Sequence, residues 1–291
     1  MSIKNLEMRA KVVVQGFWKG LHKSPFHGFS VEFTEYRQYT PGDDPRYLDW
    51  KLYARSDRFH IKKFEDETNL RCYLLADTSK SMHYGTSGVT KHQYAATLAA
   101  SMGTLLSQQG DAVGLLSFDE EIRDYFPARN RPGHLRRILY ALDQPGKGAA
   151  TNIVSPLEQA AHIIKKPGMV VVLSDFLAPV DQLESPLSRL CALGHDVVLF
   201  RVLDRAEVEF NFDEEAEFED VESGQRLHID PKAVKASYLE KFNAHRAELS
   251  TLLQGLGLSF TEWITDQPLE LALAEFLRHR AFRGQRGVRR R

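Results

Sequence analysis

Cysteine is scarce in this chain, with two residues, Cys72 and Cys191, among 291. Each lies in an apolar stretch, so a disulfide framework is excluded and buried free thiols are expected, as in a reducing compartment. Long apolar runs are also missing. No segment approaches the roughly 20 consecutive apolar residues that a membrane-spanning helix needs. Neither sign of charge dominates: 38 Lys and Arg stand against 39 Asp and Glu. The overall field therefore gives no reason to expect a nucleic-acid or membrane partner. The opening Met-Ser-Ile-Lys-Asn-Leu-Glu-Met-Arg has no leader pattern, and a soluble cytoplasmic protein is expected. The chain has no Gly-x-Gly-x-x-Gly, no Walker Gly-Lys-Ser/Thr and no Gly-x-Ser-x-Gly elbow, which removes the commonest nucleotide-binding and hydrolase motifs.

What the chain does have, from residue 71 onward, is strand and helix patterns in alternation. Apolar runs at 72–76, 113–118, 169–173, 196–203 and 258–264 read as strands. Helical spacing falls at 91–109, 132–142, 153–165, 179–193, 233–256 and 268–280. Such alternation implies a parallel sheet covered on both faces. The short strand at 121–126 follows its predecessor too closely for a parallel crossover, so it is a hairpin partner. Ahead of this domain, residues 3–15 read as a short helix broken by Phe17-Trp18. Residues 29–37 alternate as a strand, Pro41-Gly42-Asp43-Asp44-Pro45 is a turn, and 58–65 is another strand. Residues 1–69 thus form a β-rich extension too small for a good core of its own, with Trp50 and Tyr53 expected to dock on the domain at 70–282. Within that domain, Val208, Phe210 and Phe212 alternate with polar residues, seven of the ten residues from 213 to 222 are acidic, and Ser223-Gly224 turns the chain. This reads as a projecting β-hairpin at 205–230. The Arg- and Gly-rich tail at 283–291 is expected to be disordered.

The chemistry concentrates at strand ends. Asp77, Ser79 and Ser81 follow the first strand of the main domain at alternate positions, Thr151 precedes a helix, and Asp175 follows the most apolar strand. In open α/β sheets, ligands bind in the crevice beyond the carboxyl ends of the strands. Two carboxylates and three hydroxyls there suit a hard cation, Mg²⁺ or else Mn²⁺ or Ca²⁺, with a coordination position left for a partner. At such a rim the ligands are expected to be dispensable to the core. The competing role for Asp77, Thr151 and Asp175 is helix capping, which is compatible with ligation. The same arrangement, with its cation, is of a kind that activates water, which keeps a metal-dependent phosphohydrolase as the alternative function. No base stands at useful spacing, and His83 reads as an exposed loop residue.

Asp-x-Ser-x-Ser after a strand, a later Thr and a later Asp after another strand resemble the metal-ion-dependent adhesion site of von Willebrand factor A domains, over residues 70–282. The run from Glu35 to Arg46, then Leu48-Asp49-Trp50-Lys51 and Ala54-Arg55, resembles the signature of the bacterial domain of unknown function 58 family. The resemblance implies a von Willebrand factor A-like, doubly wound, mostly parallel six-stranded sheet of order 3-2-1-4-5-6 with one antiparallel edge strand. It implies metal ligation by Asp77, Ser79, Ser81, Thr151 and Asp175. It further implies a non-enzymatic adaptor for a MoxR-type AAA+ ATPase and its client, in the maturation or remodelling of protein complexes. One departure is Asn152, where the family often has Asp. Arg37, Arg46, Asp49 and Arg55 are expected to form a charged network that locks the extension in place.

Overall fold

The structure, a computed structural model, describes residues 5–21, 36–38, 60–62, 70–144, 152–212, 216–219 and 226–288. In chain order these form α1 (Leu6–Leu21), β1 (Tyr36–Gln38), β2 (His60–Lys62), β3 (Arg71–Asp77), a 3₁₀ turn at Lys80–His83, α2 (Lys91–Gln108), β4 (Ala112–Phe118), β5 (Ile122–Arg129), α3 (His134–Leu142), α4 (Val154–Ile163), β6 (Met169–Ser174), α5 (Val180–Ala192), β7 (Asp196–Leu203), α6 (Arg205–Glu209), β8 (Ala216–Glu219), β9 (Arg226–Ile229), α7 (Pro231–Gly255), β10 (Ser259–Ile264) and α8 (Leu269–Val288).

Six strands make one sheet in the order β10-β7-β6-β3-β4-β5. Numbered along the chain within that sheet, the order is 3-2-1-4-5-6, as expected. Every pairing is parallel except β4 with β5, which is antiparallel. The first strand, β3, therefore lies in the interior, and the chain leaves it for β4 on one side and later returns to β6 on the other. β6 is buried along its whole length and β3 is buried beyond its first residue. This is why both read as unbroken apolar runs and not as alternating ones. On one face, Leu75, Val172 and Leu199 pack against Leu157, Leu183, Leu187 and Leu249 from α4, α5 and α7. On the other, α2 comes close enough that its Gly103 lies against Leu74 and Val113.

The chain divides into two compact units, Met1–Trp18 with Leu70–Arg291, and Lys19–Asn69. The opening helix, up to Trp18, belongs to the unit that holds the main sheet. It also runs on past Phe17-Trp18, because Leu6, Ala10, Val13, Val14 and Phe17 recur on one helical face and are all buried. In the second unit, β1 and β2 pair antiparallel, Arg37 opposite Ile61. Glu35 and residues 39–55 of the signature, including Arg46, Asp49, Trp50, Tyr53 and Arg55, lie outside the described residues.

Two further expectations are corrected. Residues 207–209 are not strand, because Asp204 caps α6 in a capping box with Glu207. That local hydrogen bonding outcompetes the alternation of Val208, Phe210 and Phe212. The hairpin itself exists as β8 paired with β9. The last helix continues to Val288, through part of the stretch expected to be disordered. Of the cysteines, neither in a disulfide, Cys72 is buried and Cys191 is half-buried.

The antiparallel edge is tight. The β4–β5 register slips between Val113 and Leu115. A Cβ built on Gly114 there would meet Ala128 N, Phe126 O and the Tyr73 ring, each at 2.8 Å. Gly114→Ala is therefore expected to destabilise the protein by about 1–3 kcal/mol, the usual cost of overpacking. Thermal unfolding checks this, and a variant that melts at or above the parent temperature would refute it.

Candidate metal-binding site

Asp77 is the last residue of β3, and Ser174-Asp175 closes the adjacent β6. The two strand ends bring the carboxylates together although they are far apart in sequence. Ser79 precedes the 3₁₀ turn and Ser81 lies within it. The Asp77 carboxylate accepts the Ser79 amide at 2.9 Å on Oδ1 and the Ser174 hydroxyl at 2.5 Å on Oδ2. The hydroxyls of Ser79 and Ser81 stand 3.1 Å apart, and Ser81 also hydrogen-bonds Asp175. Four of the five residues expected to hold the cation are thus assembled. The fifth, Thr151, lies outside the described residues, and its neighbour Asn152 caps α4, accepting from the amides of Val154 and Ser155.

The backbone is bent to make this cluster. Immediately after Asp175, Phe176 sits at φ 51°, a left-handed conformation costly for a bulky residue. Its ring is fully buried and its amide donates to Ser174 Oγ at 3.1 Å. Ser174 thus holds both the turn and Asp77.

A cation already reaches the site, and the sequence reading missed it. Lys91, the first residue of α2, is fully buried and its Nζ lies 2.9 Å from Asp175 Oδ2 and 2.6 Å from Glu207 Oε1 of α6. α2 begins there because Thr90 and Gln93 form a capping box. That Thr-x-x-Gln pattern was the available signal, but nothing in the local sequence says that Lys91 points inward. Arg201 of β7, also fully buried, donates from Nε to the Asp175 carbonyl at 2.9 Å. Asp175 is therefore not a dispensable rim ligand. It is a buried charge with two cationic neighbours, and removing it would leave the buried Lys91 ammonium with one of its two carboxylates, that of Glu207.

The two carboxylates are held in different states. Burial, and then the charge of Asp175, push the Asp77 carboxyl up to about 7. Burial pushes Asp175 in the same direction, but the charge and hydrogen bond of Lys91 outweigh it and leave that carboxyl below the usual range. For Lys91 burial favours the neutral amine, yet Asp175 and Glu207 overcome it and hold the ammonium above its ordinary value. An acid whose charge is opposed by a neighbouring acid, beside the paired hydroxyls of Ser79 and Ser81, is an environment that a hard cation would relieve. The donor set fits Mg²⁺. Among the described residues no three His, Cys, Asp or Glu gather as metal ligands. His83 is exposed, its ring 5.4 Å from that of His92.

The strand order, the interior first strand and the Asp-x-Ser-x-Ser turn at its carboxyl end define a von Willebrand factor A-like α/β protein. A profile described as "Protein of unknown function DUF58" matches residues 35–248, most of the chain, and the chain belongs to that family. It is 28% identical over 284 residues to uncharacterized protein Rv1480 of Mycobacterium tuberculosis, covering 96% of this chain and 89% of that one. The same figures hold for uncharacterized protein Mb1516 of Mycobacterium bovis. Among solved structures, an aerotolerance-related membrane protein from Bacteroides fragilis aligns with a TM-score of 0.48 at 13% identity, over 71% of this chain and 96% of that one. BatB from Bacteroides thetaiotaomicron aligns with a TM-score of 0.45 at 12% identity, over 73% and 98%. Among the described residues no helix is long and apolar enough to cross a membrane.

The state of Asp77 has a consequence for stability. Its folded pKa of about 7 exceeds the ordinary 3.8, so the folded protein retains a proton that the unfolded chain has released. The stability this contributes is fully present below about pH 4 and is lost as the pH rises through about 7. In EDTA, the melting temperature of the parent is expected to fall across that window relative to Asp77→Asn, which has no such proton to lose. Parallel curves for the two proteins would show that Asp77 titrates as an ordinary carboxyl.

Proposed function

We propose that this protein is a non-enzymatic protein-binding module that engages its partner through a divalent cation, Mg²⁺ in the first instance, held by Asp77, Ser79, Ser81, Thr151 and Asp175. The observation that carries this reading is the convergence of Asp77, Ser79, Ser81 and Asp175 at two adjacent strand ends. When bound, the ion supplies an electrophilic centre for a carboxylate. The chain's own residues do the positioning. The Ser79 amide and the Ser174 hydroxyl fix both Asp77 oxygens, and Lys91 and Arg201 fix Asp175. With hydroxyls as the other ligands and the charge of Asp175 shared with Lys91, the ion is left short of negative charge. A Glu or Asp from a partner would complete the set.

The partner we propose is a MoxR-type AAA+ ATPase or its client, with this protein as an adaptor in the maturation or remodelling of complexes. The support is the resemblance of the signature between Glu35 and Arg55 to the domain of unknown function 58 family, which that resemblance associates with such ATPases. Acidic residues around the β8–β9 hairpin, such as Glu217 and Glu219, would add only salt-sensitive steering.

Calorimetry is expected to show one Mg²⁺ site, abolished by Asp77→Ala. The complex with the ATPase is expected to dissociate in EDTA and re-form on adding Mg²⁺. A complex indifferent to EDTA would remove the metal from the interface. Turnover of p-nitrophenyl phosphate, lost in Asp77→Ala, would establish the phosphohydrolase instead.

A further inference from the structure

We propose that Lys91 and Glu207 together set how tightly the site holds its cation, and so how much of the ion's charge is left for a partner carboxylate. This rests on the metal reading above. Asp175 is the shared member. Its Oδ1 accepts the Leu177 amide at 3.4 Å, its Oδ2 meets the Lys91 ammonium at 2.9 Å, and the Ser81 hydroxyl also hydrogen-bonds the carboxylate. A carboxylate already neutralised by an ammonium attracts a second cation less. Lys91 therefore acts as a built-in competitor, present at full strength because it is wholly buried and sits on the first turn of a capped helix.

Glu207 opposes it. Its Oε1 lies 2.6 Å from Lys91 Nζ, closer than Asp175 does at 2.9 Å. Its other oxygen accepts the Asp204 amide at 2.7 Å, and its backbone carbonyl accepts the Tyr238 hydroxyl of α7 at 2.9 Å. Asp204 in turn accepts from the amide and hydroxyl of Thr86 and the hydroxyl of Thr265. Glu207 is thus fixed by α6, by α7, by the loop after β10 and by Thr86, downstream of the 3₁₀ turn. The more firmly it draws Lys91, the more of the Asp175 charge is free for the metal. Lys91 and Glu207 are positioning residues in this scheme, acting on the ion only through Asp175.

The scheme predicts effects of opposite sign, which a merely structural role would not produce. Mg²⁺ is titrated by calorimetry into the full-length wild type, Glu207→Gln and the double variant Lys91→Met, Glu207→Gln. Circular dichroism and melting in EDTA confirm that each is folded. Glu207→Gln leaves Lys91 wholly on Asp175 and is expected to weaken Mg²⁺ binding about fivefold. The double variant removes the competitor and is expected to bind about tenfold more tightly than wild type, with both estimates from screened Coulomb energies. Acetate, standing in for a partner carboxylate, is expected to improve Mg²⁺ retention less in the double variant than in wild type.

Equal or weaker Mg²⁺ binding in the folded double variant overturns the proposal, as does unchanged or tighter binding in Glu207→Gln. The second result decides the matter alone if the double variant does not fold. An equal acetate gain in both proteins overturns the claim about the partner carboxylate. Absence of Mg²⁺ binding in the wild type itself would instead bring down the metal reading, and with it this one.

Discussion

Charges removed from water have to be balanced where they are buried, and at the carboxyl end of this sheet that balance decides the local structure. Asp77, Asp175, Lys91 and Arg201 are all essentially inaccessible to solvent. None could be buried alone, because an isolated ion in a protein interior carries a penalty of several kcal/mol even after relaxation. Each is held by another element. Lys91 of α2 reaches Asp175 of the turn after β6 and Glu207 of α6, and Arg201 of β7 reaches the Asp175 carbonyl. Three layers of the fold are therefore tied at one point, and loss of Lys91 would leave the buried Asp175 carboxylate without its ammonium.

This balance also explains why two acids so close together behave differently. Asp175 has the ammonium and Asp77 does not, so the like-charge pressure falls on Asp77. Asp77 is met by an amide and a hydroxyl, which orient its oxygens without neutralising them. The hydroxyl is that of Ser174, and it depends on the left-handed turn at Phe176. Strain of order 1–3 kcal/mol in such a backbone is tolerated only where the surroundings fix it. Here the fully buried Phe176 ring does so.

The sheet could be read from the chain because its strands announce themselves. Val170, Val171, Val172 and Leu173 can only be a strand buried on both faces, and the short link after Phe118 leaves β5 no option but a hairpin. Asp77, Ser79, Ser81 and Asp175 stood out for the same reason, since strand ends are where an α/β sheet places its chemistry. Lys91 was not. Nothing local separates a buried lysine from an exposed one at a helix start, and its partners, Asp175 and Glu207, lie 84 and 116 residues away. Alternation misled at Val208 and Phe210, where Asp204 and Glu207 satisfy the backbone locally and Phe210 turns left-handed onto Tyr238, ring centroids 4.5 Å apart. Phe17 misled in the other direction: an aromatic read as a breaker is part of the buried stripe of α1.

The same long separations bear on how the molecule comes into being. Ser174 completes the Asp77 carboxylate across a gap of 97 residues, and Lys91 waits still longer for Glu207. Contacts this distant form late, after the chain has met the entropy of closing the loops between them. During synthesis, at about 5–20 residues per second, β3 and α2 would emerge and wait several seconds with Asp77 and Lys91 lacking these partners. The cluster can assemble only once β6 and α6 have left the ribosome and joined the sheet. Its assembly therefore reports that the domain is complete, and a nascent or truncated chain lacking those elements would not display it.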